Sequence, residues 1–421
     1  MQVDKKIKIL TLSDMPLGTS GVGLITRNVC TTLLDSGKYS ILSLGGSINP
    51  PSMQPIRTEQ YKEDWTIFPV KGMGNVDVVR SLIRTEKPDI LWHMSDPRFW
   101  VWLWMIEQEI RPLMPIVYHA IWDNDPVPSY NKKYYDSVDE IWAISALSER
   151  VIRATGTKTE IRRLHHSIDP TVFKKRSKED VLAFKERYFG KAFDKPIIFW
   201  NNRNARRKHS GTLLFWFKEF LDVVGRDKAV LVMHTDPKDV VNGLDLDAIV
   251  QELKLVNGEV KFSVGKLPPE QLALWYNAAI CTVNISDAEG WGLSTHESLS
   301  CETPIICTMT GGLQEQVTDG ECWFGIGLEP SSRMIVGSQE TFIYEDRVNK
   351  QDFINALLKI YNMSSEERAA LGAAGRQHVT TKFSHEDFQR RVLEFTQDVY
   401  DRHGSWETRK GYKSWRFAEV L

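Results

Sequence analysis

The stretch "SDAEGWGLSTHESLSC", residues 286–301, holds two carboxylates, Glu289 and Glu297, with seven residues between them, a Gly-Trp-Gly among these and no proline. It follows an apolar β-branched run, "CTVNIS", and continues into a segment of helical period, so residues 290–293 fall at the first turn of a helix. The N–H groups of that turn have no partner inside the helix, and its positive end is worth roughly 0.3–1 kcal/mol to an exposed anion. Carboxylates are not phosphate binders; they accept hydrogen bonds from hydroxyls. Acid, helix start, acid therefore suits a ligand with sugar hydroxyls at both ends and phosphates in the middle. A second loop, "NNRNARRKHS" (201–210), carries Arg203, Arg206, Arg207, Lys208 and His209, the densest basic cluster in the loops. Arginine offers a bidentate fork and lysine a point charge, so the target of this cluster is a compact anion such as a diphosphate. A third loop, "DMPLGTSGVG", is a glycine-rich turn into a helix, suited to close backbone approach through Gly21.

The rest of the chain must position these loops. Its 421 residues exceed what one core normally serves, which predicts two domains and an interdomain cleft. A formal net charge of −2 gives no global attraction to nucleic acid or anionic lipid, so no nucleic-acid partner is expected. Five cysteines (Cys30, Cys281, Cys301, Cys307, Cys322), an odd number with no C-x-x-C pair, argue against a disulfide framework or a zinc site and for a reducing, cytoplasmic location. The opening "MQVDKKIKILTLSDM" is too short in apolar residues for a signal-peptide core, and no run is long enough to span a bilayer. The most apolar run, "FWVWLWMI" (99–106), reads as a buried or interdomain helix, with peripheral membrane contact or a carbohydrate-stacking surface as the alternatives.

Apolar β-branched runs alternate with helical segments twice along the chain, the mark of parallel βαβ units. The first series has strands "KIKILTLSD", "YSILSLG", "DILWHMS", "PIVYHAI", "EIWAIS" and "EIRRLHH"; the second has "PIIFWNN", "AVLVMHTD", "VKFSVG", "CTVNIS" and "PIICT". The charged "FKKRSKEDVLAFKERYFGKAFDKP" between them predicts a helix followed by a hinge, with domains at 1–190 and 191–400. A terminal segment, 401–421, would cross back to the first domain, anchored by Trp406, Trp415 and Phe417. Open parallel sheets bind ligands beyond the carboxyl ends of their strands, which is where the three loops lie. The spacing of Gly18, Gly21 and Gly23 is not G-x-G-x-x-G, and no acidic residue ends the second strand, which disfavours a nicotinamide dehydrogenase.

"EGWGLSTHESLSCETPIICTMTGGLQEQVTDG" (289–320) resembles the carboxyl-terminal signature of glycosyltransferase family 4, retaining nucleotide-sugar enzymes of the GT-B fold. "NNRNARRKHS" is similar to that family's arginine-lysine clamp, "SGVG" to its amino-terminal glycine loop, "AISALSERVIRATG" to its serine-containing strand-helix, and "HHSIDPTVF" to its segment ahead of the linker. The motifs run in the family's order from about residue 10 to 400. The resemblance implies an α/β, GT-B architecture of two Rossmann-like parallel-sheet domains facing a cleft. It implies that Glu297 holds the ribose and Glu289 the donor sugar, while backbone N–H groups of Trp291, Gly292 and Leu293 meet sugar and diphosphate. Arg203 and Lys208 would neutralise the leaving diphosphate in place of a metal, Gly21 would let its loop approach the phosphates, and His119 would sit at the reacting sugar. No cofactor beyond the nucleotide-sugar co-substrate is implied, and the acceptor would be a hydroxyl of a glycan, glycolipid or other molecule. Front-face substitution, in which the leaving phosphate helps remove the acceptor proton, would need no side-chain base.

The chain departs from the pattern at Ser20, Asn202 and Ser167, where glycines are usual, and at Glu302, which suggests a helix end without a left-handed cap. The base edge is expected near residues 265–267, through backbone. Asp123 and Asp125 in "WDNDP" form a D-x-D, read as hydrogen bonding in the cleft or a turn in preference to metal binding. His165 and His166 read as structural. Two other functions share this outline: a nucleotide-sugar epimerase and a two-domain sugar-binding protein.

Overall fold

The computed structural model describes residues 5–239, 243–338 and 340–413. They form two compact units, one made of residues up to His166 and from Glu386 onwards, the other of Ser167–His385. Trp415 and Phe417 lie outside the described residues.

The first unit is built on eight strands: β1 (Ile7–Asp14), β2 (Tyr39–Ile48), β3 (Ile56–Arg57), β4 (Trp65–Lys71), β5 (Ile90–Ser95), β6 (Ile116–Ala120), β7 (Glu140–Ala143) and β8 (Glu160–Arg163). Their order is β3-β4-β2-β1-β5-β6-β7-β8, all parallel except the β3–β4 pair. Central strands are covered on both faces; β5 and β6 are buried at every residue, which is why they read as unbroken apolar runs. The helix Gly21–Asp35 starts where Ser20 caps it, its Oγ accepting the Gly23 N–H at 2.9 Å. The glycine-to-serine departure at Ser20 is thus a helix cap, tied back to the end of β1 by donating to Asp14 Oδ2 at 2.6 Å.

"FWVWLWMI" is not one buried helix. Pro97–Trp100 is a 3₁₀ turn, followed by short helices at Val101–Met105 and Glu107–Ile110. Trp100, Leu103, Ile106 and Ile110 enter the core, while Phe99, Val101 and Met105 face outward.

The second unit has six parallel strands, β9 (Ile197–Asn201), β10 (Val230–His234), β11 (Val260–Ser263), β12 (Cys281–Asn284), β13 (Ile305–Thr308) and β14 (Ile326–Leu328), in the order β11-β10-β9-β12-β13-β14. A separate antiparallel hairpin, β15 (Ser332–Ser338) and β16 (Thr341–Arg347), follows them. The sequence reading had no counterpart for β3, β4 or β14–β16.

The chain divides at His166/Ser167 and not near residue 190, because the helix Lys178–Phe189 packs onto the helix Pro269–Ala278 of the second unit. Phe184 and Tyr188 meet the Trp275 ring at 4.8 and 4.9 Å. The return to the first unit begins with the helix His385–His403, earlier than residue 401. Arg162 and Arg402 close on the buried Glu140, and Trp406 Nε1 donates to the Pro88 carbonyl at 2.9 Å.

Candidate active site

Strand β9 lies beside β12 in the second sheet, so the loops leaving their carboxyl ends are neighbours although far apart in sequence. After Asn201 the chain makes a short loop and a 3₁₀ turn, Arg206–Lys208, then passes through His209 at φ 56° into the helix Ser210–Val224. After β12 it runs through Ser286, Asp287 and Glu289 to Gly292, which precedes the helix Leu293–Ser300. The two loops are stitched together: the Asp287 N–H donates to the Arg207 carbonyl at 2.9 Å, the Arg207 guanidinium donates to the Ala288 carbonyl, and His209 pairs with Asp287.

At the centre of this junction Lys208 and Glu289, both buried, form an ion pair. Ser286 Oγ donates to Glu289 Oε1 at 3.0 Å, and Arg207 Nη1 stands 3.5 Å from Oε2. Burial alone would push this carboxyl up; the charges of Lys208 and Arg207 and the bonds from Lys208 and Ser286 outweigh it and hold the pKa down to about 2. Glu289 is therefore a fixed anion at any physiological pH.

Glu297 is the opposite case. It sits inside the helix Leu293–Ser300, where Tyr276 O–H donates to Oε2 at 2.6 Å and Asn201 Nδ2 lies 3.4 Å from the same oxygen. Burial dominates and pushes its carboxyl up to about 7, with the Tyr276 and Asn201 bonds pulling the other way. One acid stays charged and the other titrates near neutrality, in positions separated by one helix start.

The segment between the acids is packed from below. Gly292 adopts φ 86°, and a Cβ there would come within 2.3 Å of Leu313 Cδ2. Gly312 allows the same approach from the other side, since its Cβ would meet the Gly290 carbonyl oxygen at 2.6 Å. The Trp291 side chain is buried against Phe383, and its carbonyl accepts from Gln316 Nε2 at 2.5 Å. Leu293 opens the helix, so its N–H lies in the turn that makes no intrahelical bonds.

Arg203 is exposed and its Nε donates to Asp239 Oδ2 at 2.9 Å. Lys208, Glu289, Trp291, Gly292, Leu293 and Glu297 are thus brought to one end of the second sheet, with Arg203 on the same loop as Lys208. Gly21 and His119 belong to the first unit. His119 has 0% exposure, at the penultimate position of β6, with the rings of Trp92, Trp142 and His166 around it at 5.8, 6.1 and 5.2 Å. Burial holds its pKa down to about 3, so it is neutral. The expectation that it sits at a reacting sugar finds no accessible imidazole in this conformation. Asp125 accepts from Arg150 at 2.7 Å, and no group of three His, Cys, Asp or Glu side chains placed to hold a metal occurs among the described residues. Glu302 corrects another expectation: at φ 60° it does adopt the left-handed conformation that a glycine would have supplied. Asn201, Tyr276, Ser286 and Asp287 were missed; only Asp287, two residues before Glu289, carried a signal.

Residues 245–378 match the family model for glycosyl transferases group 1. This stretch of the chain is similar to the group 1 glycosyl transferases. The group 1 match contains Glu289, Trp291, Gly292, Leu293 and Glu297 and stops short of Arg203 and Lys208. D-inositol 3-phosphate glycosyltransferases of Frankia alni and Streptosporangium roseum are 32% and 45% identical over 109 and 97 residues, covering 26% and 23% of this chain. The alignments span 22% of the length of each of these relatives. Among solved structures, the sucrose-phosphate synthase of Thermosynechococcus elongatus has a TM-score of 0.73 at 16% identity, over 94% of this chain and 100% of that one. An Anabaena protein solved with UDP and glucose has a TM-score of 0.70 at 15% identity, over 93% and 100%. The α,α-trehalose 6-phosphate synthase of Burkholderia multivorans has 0.71 at 10%, over 94% and 99%. At such identities the likeness establishes the GT-B fold.

No helix among the described residues is long and apolar enough to cross a membrane.

Proposed function

We propose that the chain is a retaining glycosyltransferase, moving a sugar from a UDP- or GDP-sugar to a hydroxyl of a glycan, glycolipid or other acceptor, without a metal and without any further cofactor. The observation that carries this reading is the buried Lys208–Glu289 pair beside a helix start, with Glu297 on the same helix. In the reaction the bond from the sugar's anomeric carbon to the β-phosphate oxygen breaks and one to the acceptor oxygen forms on the same face. The acceptor proton passes to the departing phosphate oxygen. Lys208 and Arg203 meet the charge that develops on the diphosphate, Glu289 takes hydroxyls of the sugar, and Glu297 takes those of the ribose. The five free cysteines support a reducing, cytoplasmic setting.

A thermal-shift screen against UDP, GDP and ADP, then their sugars, tests the reading, because a ligand that binds only the folded chain raises its melting temperature. One of the diphosphates should stabilise the protein, and Arg203→Ala and Glu297→Ala should weaken that binding. Incubation of the matching nucleotide sugar with and without acceptors should give transfer or slow hydrolysis; epimerised donor would point to an epimerase, and saturable binding of free sugar alone to a sugar-binding protein.

A pH dependence follows from Glu297. Its ionised form is the better acceptor for two hydroxyls, so nucleotide affinity should rise with pH through the folded pKa of about 7. Tyr276→Phe removes an O–H donor that favours the carboxylate, so the midpoint of that rise should move to higher pH. Titration of the bound diphosphate at a series of pH values checks it; an unmoved midpoint would separate Glu297 from the ribose.

A further inference from the structure

The hairpin β15–β16 lies outside the parallel sheet and has no part in the function proposed above. Its second strand ends in three consecutive charged residues, Glu345, Asp346 and Arg347, and all three reach the loops of the candidate site. Glu345, with only 2% of its side chain exposed, accepts Arg206 Nη1 at 3.0 Å through one oxygen and pairs with Nη2 through the other. Arg347 Nη2 donates to the same carboxylate at 2.5 Å. The Asp346 N–H donates to the Asp287 carbonyl at 3.0 Å, and Arg347 Nε stands 3.2 Å from Asp287 Oδ1. Arg333 on β15 donates to Asp346 Oδ1 at 2.8 Å, which ties the two strands of the hairpin together at their base.

One short strand therefore holds both walls: the basic loop through Arg206, and the acidic loop through Asp287. Arg206 stands three residues after Arg203 and two before Lys208, in a single turn closed by the Lys208 N–H on the Ala205 carbonyl at 2.8 Å and the His209 N–H on the Arg206 carbonyl at 3.2 Å. A bidentate carboxylate fixes the plane of a guanidinium as well as its place, and a loop already ordered loses less freedom when an anion binds.

We propose that Glu345 and Arg347 are positioning residues, through which the hairpin clamps loop 203–208 against loop 286–289 and sets the geometry offered to a diphosphate. The inference rests on the nucleoside-diphosphate reading of the site. Glu345 acts through Arg206 and Arg347 through Asp287; neither is assigned a contact with the ligand.

The test compares UDP with UMP and GDP with GMP by calorimetric titration of the full chain. Glu345→Ala should weaken the diphosphate about tenfold and the monophosphate less than about twofold, since the outer phosphate depends on the ordered loop. Glu345→Asp, which keeps the charge, should recover part of the loss. In an Arg206→Ala background, Glu345→Ala should add less than about a factor of two, because residues in one network are not additive. Unchanged diphosphate affinity in Glu345→Ala overturns the inference. Equal weakening of both ligands also does so, since it marks general damage, and so does full additivity with Arg206→Ala. If the wild-type chain binds none of the diphosphates UDP, GDP and ADP, the site reading falls and this inference with it; if it binds one and the hairpin variants match it, only the hairpin inference falls.

Discussion

Glu289→Gln should lower sugar transfer about 10²- to 10³-fold, the size of effect seen when one group that stabilises a transition state is removed, and should not weaken the free nucleoside diphosphate. The two halves of this expectation come from the two sides of one carboxylate. Toward the protein, Glu289 neutralises Lys208, and Ser286 holds its Oε1. Toward the ligand, it is the acceptor proposed for hydroxyls of the transferred sugar. An amide of the same size keeps the packing and one acceptor oxygen but gives up the charge. Lys208 is then released from its partner and meets a diphosphate with its full charge, so UDP or GDP binds at least as tightly as before. Because the Glu289 carboxyl is held down to about 2, the loss of transfer should persist at every pH where the chain is folded. Initial rates with the nucleotide sugar and a parallel titration with the free diphosphate separate the two effects. Transfer at the wild-type rate in Glu289→Gln would remove Glu289 from the sugar site.

The alternation of strands and helices was legible because parallel strands buried on both faces are written as apolar β-branched runs, as in Ile197–Asn201 and Cys281–Asn284. Where a strand is written otherwise, the pattern fails. Strand β4 contains Pro69, which reads against a strand with neighbours on both sides; the structure admits it because β3 pairs only with Thr66 and Ile67 and does not reach it. The hairpin was missed because its apolar residues do not alternate: Met334 and Ile335 are adjacent and both exposed. Within the site, the acids and the basic loop could be found from composition and position, but not their pairing. Lys208 and Glu289 are 81 positions apart, and they meet because β9 lies next to β12, a fact of strand order that no local pattern carries. The opposite ionisation of Glu289 and Glu297 was equally hidden, since it depends on a cation from another loop in one case and, in the other, on burial that the bonds from Tyr276 and Asn201 only partly offset.

Lys208→Met should be the most destabilising single change at the site, costing about 3–5 kcal/mol at neutral pH, as expected when a buried ion pair loses one partner. In the wild-type chain the Glu289 carboxyl titrates below its unfolded value of 4.5, so its contribution to stability is present above that value and is lost as pH falls through about 2. Removing Lys208 takes away the first of the charges that oppose burial and leaves Arg207, 3.5 Å away and half-exposed, as the nearest cation. Desolvation then gains on attraction and the folded pKa climbs. If it passes 4.5 the sign reverses: stability is present at acid pH and lost as pH rises through the new value. The gap in melting temperature between wild type and Lys208→Met should therefore widen from pH 5 to pH 8, because the folded carboxyl then ionises less readily than the unfolded one. The double variant Lys208→Met/Glu289→Gln should recover much of the stability, because the uncompensated charge is gone, while transfer stays lost. Thermal melts of the three proteins across that range decide the matter. A gap that does not change with pH, or a double variant no more stable than Lys208→Met, would mean that methionine disturbs packing at the loop junction and that the Lys208–Glu289 charge pair is not what holds it together.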